Sequence, residues 1–303
     1  VRSGRRTARG GDTEPMWVHL DGRLVPEEEA RVSVFDRGFL FGDGIFETLR
    51  AVRGRLFRCD QHLERLRRSA RLADLELPVP AEVLRAEVVE VLERSGLEEA
   101  RLRITVTRGP GRPGDLAGGA GPATRVITAA PFVPLEPRLV AGGVAIAVPG
   151  RRQMPATVLD PAIKATSRLH LVLARREARA RGAFEAVLLD AAGRLTEGTV
   201  SNIFLVRGGR LLTPAVPLSG LPGVTRQAVL EAAREAGIDA GEPPLPAAAL
   251  LEAEEIFLTN TSWEVLPVTR VDGRAAGGGR PGPLTGRLHQ LYRSVLAGEC
   301  GGV

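Results

Sequence analysis

The chain has 303 residues, 44% of them apolar and 25% charged, enough for one large core or two smaller ones, and its net charge of +5 is modest. No apolar run reaches membrane length and no basic stripe is interleaved with aromatics, which argues against a membrane span and against a nucleic-acid partner. Cys59 and Cys300 form neither a metal spacing nor a disulfide framework, so no metal is expected and the compartment reads as reducing cytoplasm.

Residues 1–15 are rich in Arg, Gly and Thr and predict a disordered tail. From Met16 onward the pattern is mixed α/β. Trp17–Leu20 and Arg23–Val25 flank an Asp21-Gly22 turn and predict a hairpin. Val32–Phe35, Ile45–Val52 and Arg55–Phe57 read as strands. Asp60 reads as the cap of a helix running to Leu72, and Pro80–Ser95 as a second helix closed by Gly96. Arg101–Thr107 and Val126–Ala130 read as strands. Pro131–Gly143 carries three prolines and two glycines, and its residues 133–143 are the predicted linker between an N-terminal α/β domain (16–132) and a larger C-terminal one (144–303). Beyond it come strands at Val144–Val148, Ala186–Leu189, Ile203–Val206 and Ile256–Thr259. Helices are expected at Leu169–Arg181, Thr225–Ala236 and Leu284–Leu296. Gly109–Pro122 and Ala275–Pro283 read as loops.

Lys164 is the one lysine in a chain with forty arginines. Arginine serves wherever a fixed positive charge is enough. It cannot supply an amine that loses its proton near neutral pH, which a desolvated lysine can. The neighbours Ala162 and Ile163 suit a partly dehydrated site. The plain alternative is a surface lysine.

Three further segments have small polar residues where chemistry would use them. Glu197, in Leu195-Thr196-Glu197-Gly198-Thr199, lies in what reads as a turn between strands and could aim its carboxylate inward; a turn acid in water is the alternative. Pro222-Gly223-Val224-Thr225 feeds a helix whose free N–H groups and Thr225 hydroxyl would suit a phosphate; the alternative is an ordinary cap. Thr259-Asn260-Thr261-Ser262, beside Trp263, is a second phosphate-loop candidate or a polar turn.

Together with Phe35-Asp36-Arg37-Gly38-Phe39-Leu40-Phe41-Gly42-Asp43-Gly44-Ile45-Phe46-Glu47-Thr48 and Asp60-Gln61-His62-Leu63-Glu64-Arg65-Leu66, these segments give a resemblance over Met16–Leu296. The chain resembles the class IV aminotransferases, the fold-type IV pyridoxal-phosphate enzymes. The resemblance implies a smaller N-terminal and a larger C-terminal α/β domain with pyridoxal 5'-phosphate between them, and a homodimer whose partner closes each site. It implies that Lys164 forms the imine with the cofactor and that Glu197 bonds the pyridine nitrogen. Arg65, Val224, Thr225, Asn260 and Thr261 would hold the cofactor. Phe46, Arg112, Arg168 and Trp263 are the substrate-side candidates. Among the histidines, His62 reads as structural, His170 as a residue that could face the site, and His19 and His289 as surface or packing residues.

Within the family the expected reaction is that of a 4-amino-4-deoxychorismate lyase, giving 4-aminobenzoate and pyruvate. Lys164 to Leu169 and Gly121-Pro122-Ala123-Thr124-Arg125 resemble that group. A tyrosine five residues past the lysine, usual in branched-chain aminotransferases, is replaced by Leu169. Phe46 stands where one D-amino-acid aminotransferase type has tyrosine, and no Arg-x-His follows Thr107-Arg108-Gly109. A D-amino-acid, branched-chain or broad aminotransferase is the alternative, and a non-catalytic cofactor-binding protein a third reading.

Overall fold

The computed structural model describes residues 16–116, 121–216 and 220–301; the expected tail at 1–15 lies outside them. Alternation of apolar and polar residues in Ala100–Thr107 puts one face of that strand against a core and leaves the other open. It forms the middle of a six-stranded antiparallel sheet. The strands are β1 (Trp17–Leu20), β2 (Arg23–Pro26), β3 (Gly44–Val52), β4 (Arg55–Leu56), β5 (Ala100–Thr107) and β6 (Arg125–Pro131), in the order β2-β1-β6-β5-β3-β4. After a short helix α1 (Arg37–Phe41), the helices α2 (Cys59–Leu72) and α3 (Ala81–Arg94) cover one face of the sheet. Leu63, Leu66, Leu84 and Val88 meet Ile45, Leu49, Leu102 and Ile104 there.

Two local expectations fail. Val32–Phe35 is no strand: Val32, Val34 and Phe35 are exposed, and pairing begins only at the Asp36–Pro110 bridge. Asp60 does not cap α2, because the helix starts at Cys59 after Arg58 in a left-handed conformation, and the Asp60 carboxylate pairs with Arg85 instead. In the predicted linker, Pro137–Gly142 forms a helix, α4, with proline in its first turn.

A second, nine-stranded sheet takes β7 (Val144–Ala147), β8 (Glu185–Leu189), β9 (Leu195–Gly198), β10 (Asn202–Arg207), β11 (Arg210–Leu212), β12 (Ala240–Gly241), β13 (Glu255–Asn260), β14 (Glu264–Val271) and β15 (Arg274–Ala275). Its order is β12-β11-β10-β13-β14-β7-β8-β9, with β15 on β14. The central strands β10 and β13 are buried on both faces. Helices α5 (Leu169–Ala180), α6 (Val224–Glu235) and α8 (Pro283–Cys300) pack on the sheet, and α7 (Ala249–Glu252) lies in the loop before β13. Phe57, next to β4, packs edge-on against Tyr292 of α8 at 5.8 Å, so the two sheets share part of a core.

Candidate active site

Lys164 sits on no helix or strand, yet its backbone is fixed from two sides. Phe46 N donates to Lys164 O at 2.9 Å and Thr166 N donates to Gly44 O at 2.8 Å, so the segment runs beside the first residues of β3. Lys164 N donates to Ser69 Oγ of α2 at 3.1 Å. The amine points into a cleft of 430 Å³ between the sheets, with Nζ 4.8 Å from the centre of the Phe46 ring. Burial, and next the Arg65 guanidinium, bring its pKa down to about 7 against the pull of Glu47. A neutral lysine amine is a base.

Glu197 belongs to β9 rather than to a turn, a correction that explains its fixed aim. Its oxygens accept from Gln153 Nε2 and Leu221 N, both at 2.9 Å, and from Asn202 Nδ2 at 3.5 Å. Burial raises the carboxyl to about 7, opposed by the Leu221 N–H and the charges of Arg168 and Lys164. Gly220, at φ +154°, is needed here: a Cβ would come within 2.4 Å of the Glu197 carboxyl carbon.

Arg65 reaches the cleft from α2. Its Nε and Nη2 bond the Glu47 carboxylate, and Nη1 donates to Pro222 O at 3.0 Å across the cleft. His62 is a structural partner of the same acid, with Nδ1 2.8 Å from Glu47 Oε2. Next to Arg65 opens the N-terminus of α6. The first helical bond onto Gly223 O comes from Gln227, so the N–H groups of the first turn have no partner within the helix, and two of its residues, Val224 and Thr225, line the cleft. The Thr225 side chain also bonds Tyr292, which is 1% exposed and lies far deeper than a residue at the end of the chain suggests.

The turn from β13 to β14 brings Asn260, Thr261, Ser262 and Trp263 to the cleft. The Asn260 side chain is committed within the turn: Oδ1 accepts from Ser262 N at 2.9 Å and Trp263 N at 2.7 Å, and Nδ2 donates to Val200 O. Trp263 rests on Phe184 at 5.1 Å and on the Arg175 guanidinium at 5.3 Å.

Arg168 faces the cleft: it donates to Thr199 O, and its Cζ lies 5.4 Å from the Phe46 ring centre. Arg112 does not. It is exposed and outside the cleft lining, in a loop where Arg37 Nη1 and Nη2 donate to the carbonyls of Asp115 and Leu116. His170 lines the cleft, and burial, then Arg168, lower its pKa. His289 bonds Glu264. His19 lies 3.7 Å from Glu87.

Sequence reasoning missed Arg101 and Arg103, whose alternate spacing on β5 turns both toward the cleft. Arg103 Cζ sits 3.9 Å from the Phe46 ring centre. It missed Gln153 and Asn202, which hold Glu197, and the buried acid Glu47. The hydroxyls of Ser201 and Thr259 are buried at the cleft without a hydrogen-bond partner among the described residues.

This donor set fits pyridoxal phosphate. Arg65 and the α6 N-terminus offer fixed donors to a phosphate, and two orphaned hydroxyls await polar partners. Glu197 offers a buried carboxyl to a ring nitrogen, and Lys164 an amine near neutrality. Among the described residues no group of three or more His, Cys, Asp or Glu could hold a metal, and no helix is long and apolar enough to cross a membrane.

Comparison with known proteins agrees with this chemistry. The family model for amino-transferase class IV matches residues 44–271. A protein of Methanocaldococcus jannaschii, provisionally named a branched-chain-amino-acid aminotransferase, is 38% identical over 280 residues, 92% of this chain and 96% of its own. A D-alanine aminotransferase of Listeria monocytogenes is 34% identical over 289 residues, 94% of this chain and 98% of its own. In structure, the T.th. branched-chain amino acid aminotransferase with pyridoxamine 5'-phosphate superposes with a TM-score of 0.90 at 30% identity, covering 95% of this chain and 96% of its own.

Proposed function

The chain belongs to the class IV aminotransferases, enzymes that work with pyridoxal phosphate, and from that premise we propose that it moves an amino group between an α-amino acid and a keto acid. The observation that carries this reading is the Lys164 amine, with a pKa of about 7 in a cleft that also holds Glu197 and Arg65. Relatives named for branched-chain and D-alanine transamination favour it over the lyase expected from the sequence.

The cofactor, when bound, supplies a carbonyl for the amino group and a ring that withdraws electrons from the substrate carbon. The protein does the rest. Lys164 takes the proton from the substrate carbon and later returns one, a task suited to a pKa near the working pH. Glu197 keeps a proton on the ring nitrogen. Arg65 and the N–H groups of Val224 and Thr225 hold the phosphate, and Thr261 and the Asn260-braced turn close the far side. Arg168, Arg103 and Arg101 receive the substrate carboxylate, while Phe46 and Trp263 wall its side chain. Val34, Phe35, Phe39 and Leu169, exposed by 63%, 51%, 73% and 69%, offer apolar surface that a second copy would cover in a homodimer. A small α/β domain at 16–132 and a larger one at 144–303 then flank the cofactor in a cytoplasmic enzyme.

A side-by-side assay tests this. The holoenzyme is given L- and D-forms of leucine, valine and alanine with a keto acid acceptor, and separately aminodeoxychorismate. Keto-acid release from an amino acid is expected, and release of 4-aminobenzoate alone would overturn the reading.

A further inference from the structure

Arg50 and Glu264 join the two walls of the cleft. Arg50 is on β3, on the same face as Phe46 and Thr48, because side chains two apart share a face of a strand. Phe46 and Thr48 line the cleft. Glu264 opens β14 directly after Thr261, Ser262 and Trp263, which line the opposite wall. Arg50 Nη1 donates to Glu264 Oε1. The other oxygen takes His289 Nε2 at 2.7 Å and Arg293 Nε at 2.8 Å, both from α8. The Phe132 ring covers Arg50, 4.0 Å from its Cζ.

Glu264 has φ +58°, in the left-handed region that side chains seldom adopt. Three side chains hold its carboxylate in place, as a residue in such a conformation requires of its surroundings. Burial alone would raise this carboxyl, yet His289, Arg293 and Arg50 bring it to about 2, so it is ionised. Of these three partners only Arg50 comes from the first sheet. The pair itself is buried, at 8% and 6% exposure, and neither side chain lines the cleft.

We propose that Arg50 and Glu264 are a positioning pair that sets the width of the substrate end of the cleft, by tying β3 to the turn at 260–263. The pair acts through Phe46 and Thr48 on one side and through Thr261 and Trp263 on the other. It therefore fixes which side-chain sizes the site accepts. The inference rests on the transaminase reading and deepens it.

The test compares Glu264→Gln, Arg50→Gln, the double variant and Arg293→Gln as holoenzymes. Arg293 bonds the same carboxylate from α8, on the second sheet, so its loss weakens Glu264 without untying the walls. Two readouts are taken: kcat and KM for leucine and alanine of the hand turned over, and absorbance titration of the bound cofactor with 4-methylpentanoate and acetate. Misplacement by about 1 Å is enough to cost binding strongly, so Glu264→Gln and Arg50→Gln should each raise KM about tenfold with kcat within about threefold. The large-to-small selectivity ratio should shift about fivefold in both readouts, and the double variant should be no worse than either single one. Arg293→Gln should keep the ratio within about twofold. Unchanged ratios in both Gln variants, or an equal shift in Arg293→Gln, would overturn the proposal. If Glu264→Gln does not fold, Arg50→Gln decides. The titration needs no turnover, so a wild type that fails to transaminate sinks the functional reading while the width of the cleft is still measured.

Discussion

Arg65 donates from Nε and Nη2 to the two oxygens of Glu47, at 2.7 Å each, and the Glu47 side chain is fully buried. Burial alone would raise that carboxyl; the Arg65 charge and its hydrogen bonds instead hold it well below the usual carboxylate range. Glu47 lies between Phe46 and Thr48, which face the cleft, so strand alternation turns it to the opposite side, toward α2. The acid thus fixes the plane of Arg65 from behind and leaves Nη1 at the cleft.

Arg65→Ala should therefore do two things. It should weaken cofactor retention, because a charge-assisted phosphate contact is lost. It should also strand Glu47, and breaking a buried pair from one side costs about 3–5 kcal/mol. Urea unfolding of the apoprotein reads the second effect without the cofactor. An Arg65→Ala apoprotein as stable as wild type would show that the pair is dispensable.

Lys164→Arg keeps the charge and removes the titratable amine. Turnover should fall by at least about a thousandfold, within the range for loss of a positioned proton carrier. Lys164 is the only lysine, so borohydride should fix the cofactor there and at no other side chain in the wild type. Label recovered on another internal peptide would refute the assignment.

Composition singled out Lys164 and a short segment of small polar residues singled out Glu197, while Arg65 was reached only through the family resemblance; the structure brings all three to one cleft. The strands of the first sheet, and β7, β8, β10 and β13 of the second, were legible from runs of β-branched and apolar residues, such as Ile45–Val52 and Ile256–Thr259, whereas β9, β11, β12, β14 and β15 were not read as strands. What was hidden depends on contacts between the sheets. Arg101 and Arg103 alternate along a strand with no local sign of a site, and only the second sheet makes their face the wall of a cleft. Glu47 gave no signal, since an acid within an apolar strand reveals nothing about its partner eighteen residues on. Val32–Phe35 misled through its apolar alternation, although those side chains are exposed. Arg112 misled because a Gly- and Pro-rich loop can close over a site, whereas here the residue is exposed and the loop bonds Arg37 instead, a tertiary contact.

The apoprotein should show two opposed pH limbs. The folded pKa of Lys164 is lowered from 10.5 to about 7, so between those values the unfolded chain binds more protons and stability rises with pH. The folded pKa of Glu197 is raised from 4.5 to about 7, so in that window the native state binds more protons and stability falls as pH rises. Each limb approaches about 1.4 kcal/mol per pH unit within its window. Lys164→Met should abolish the upper limb and Glu197→Gln the lower one, measured as urea midpoints from pH 4.5 to 10. A wild-type curve that keeps both limbs in both variants would mean that other groups carry them. In the holoenzyme, Glu197→Gln should also lower kcat about a hundredfold, because a neutral amide does not hold the ring proton.

Arg103 and Arg168 supply the last prediction. Arg103 Nε donates to Thr105 Oγ1 at 3.0 Å and Arg168 donates to Thr199 O, both neutral acceptors. Neither forms an ion pair among the described residues, and burial lowers the pKa of each. Two guanidinium groups about one phenyl ring, neither in ion-pair contact with a carboxylate among the described residues, leave donors that a substrate carboxylate would fill. Hydrogen bonds to a charged group are worth about 1.5–3 kcal/mol, so Arg103→Ala and Arg168→Ala should raise KM about ten- to a hundredfold. The contact exists before and during the reaction, so kcat should change far less. Glutamate against leucine separates the roles. An arginine that grips the α-carboxylate raises KM for both, whereas one that grips a side-chain carboxylate raises it for glutamate alone. Arg112→Ala, outside the cleft, should leave both constants at the wild-type values. If Arg103→Ala and Arg168→Ala both keep the wild-type KM for every amino acid, the substrate carboxylate is held by other groups, and of these two only Arg168 has a part at the site, in lowering the Lys164 pKa.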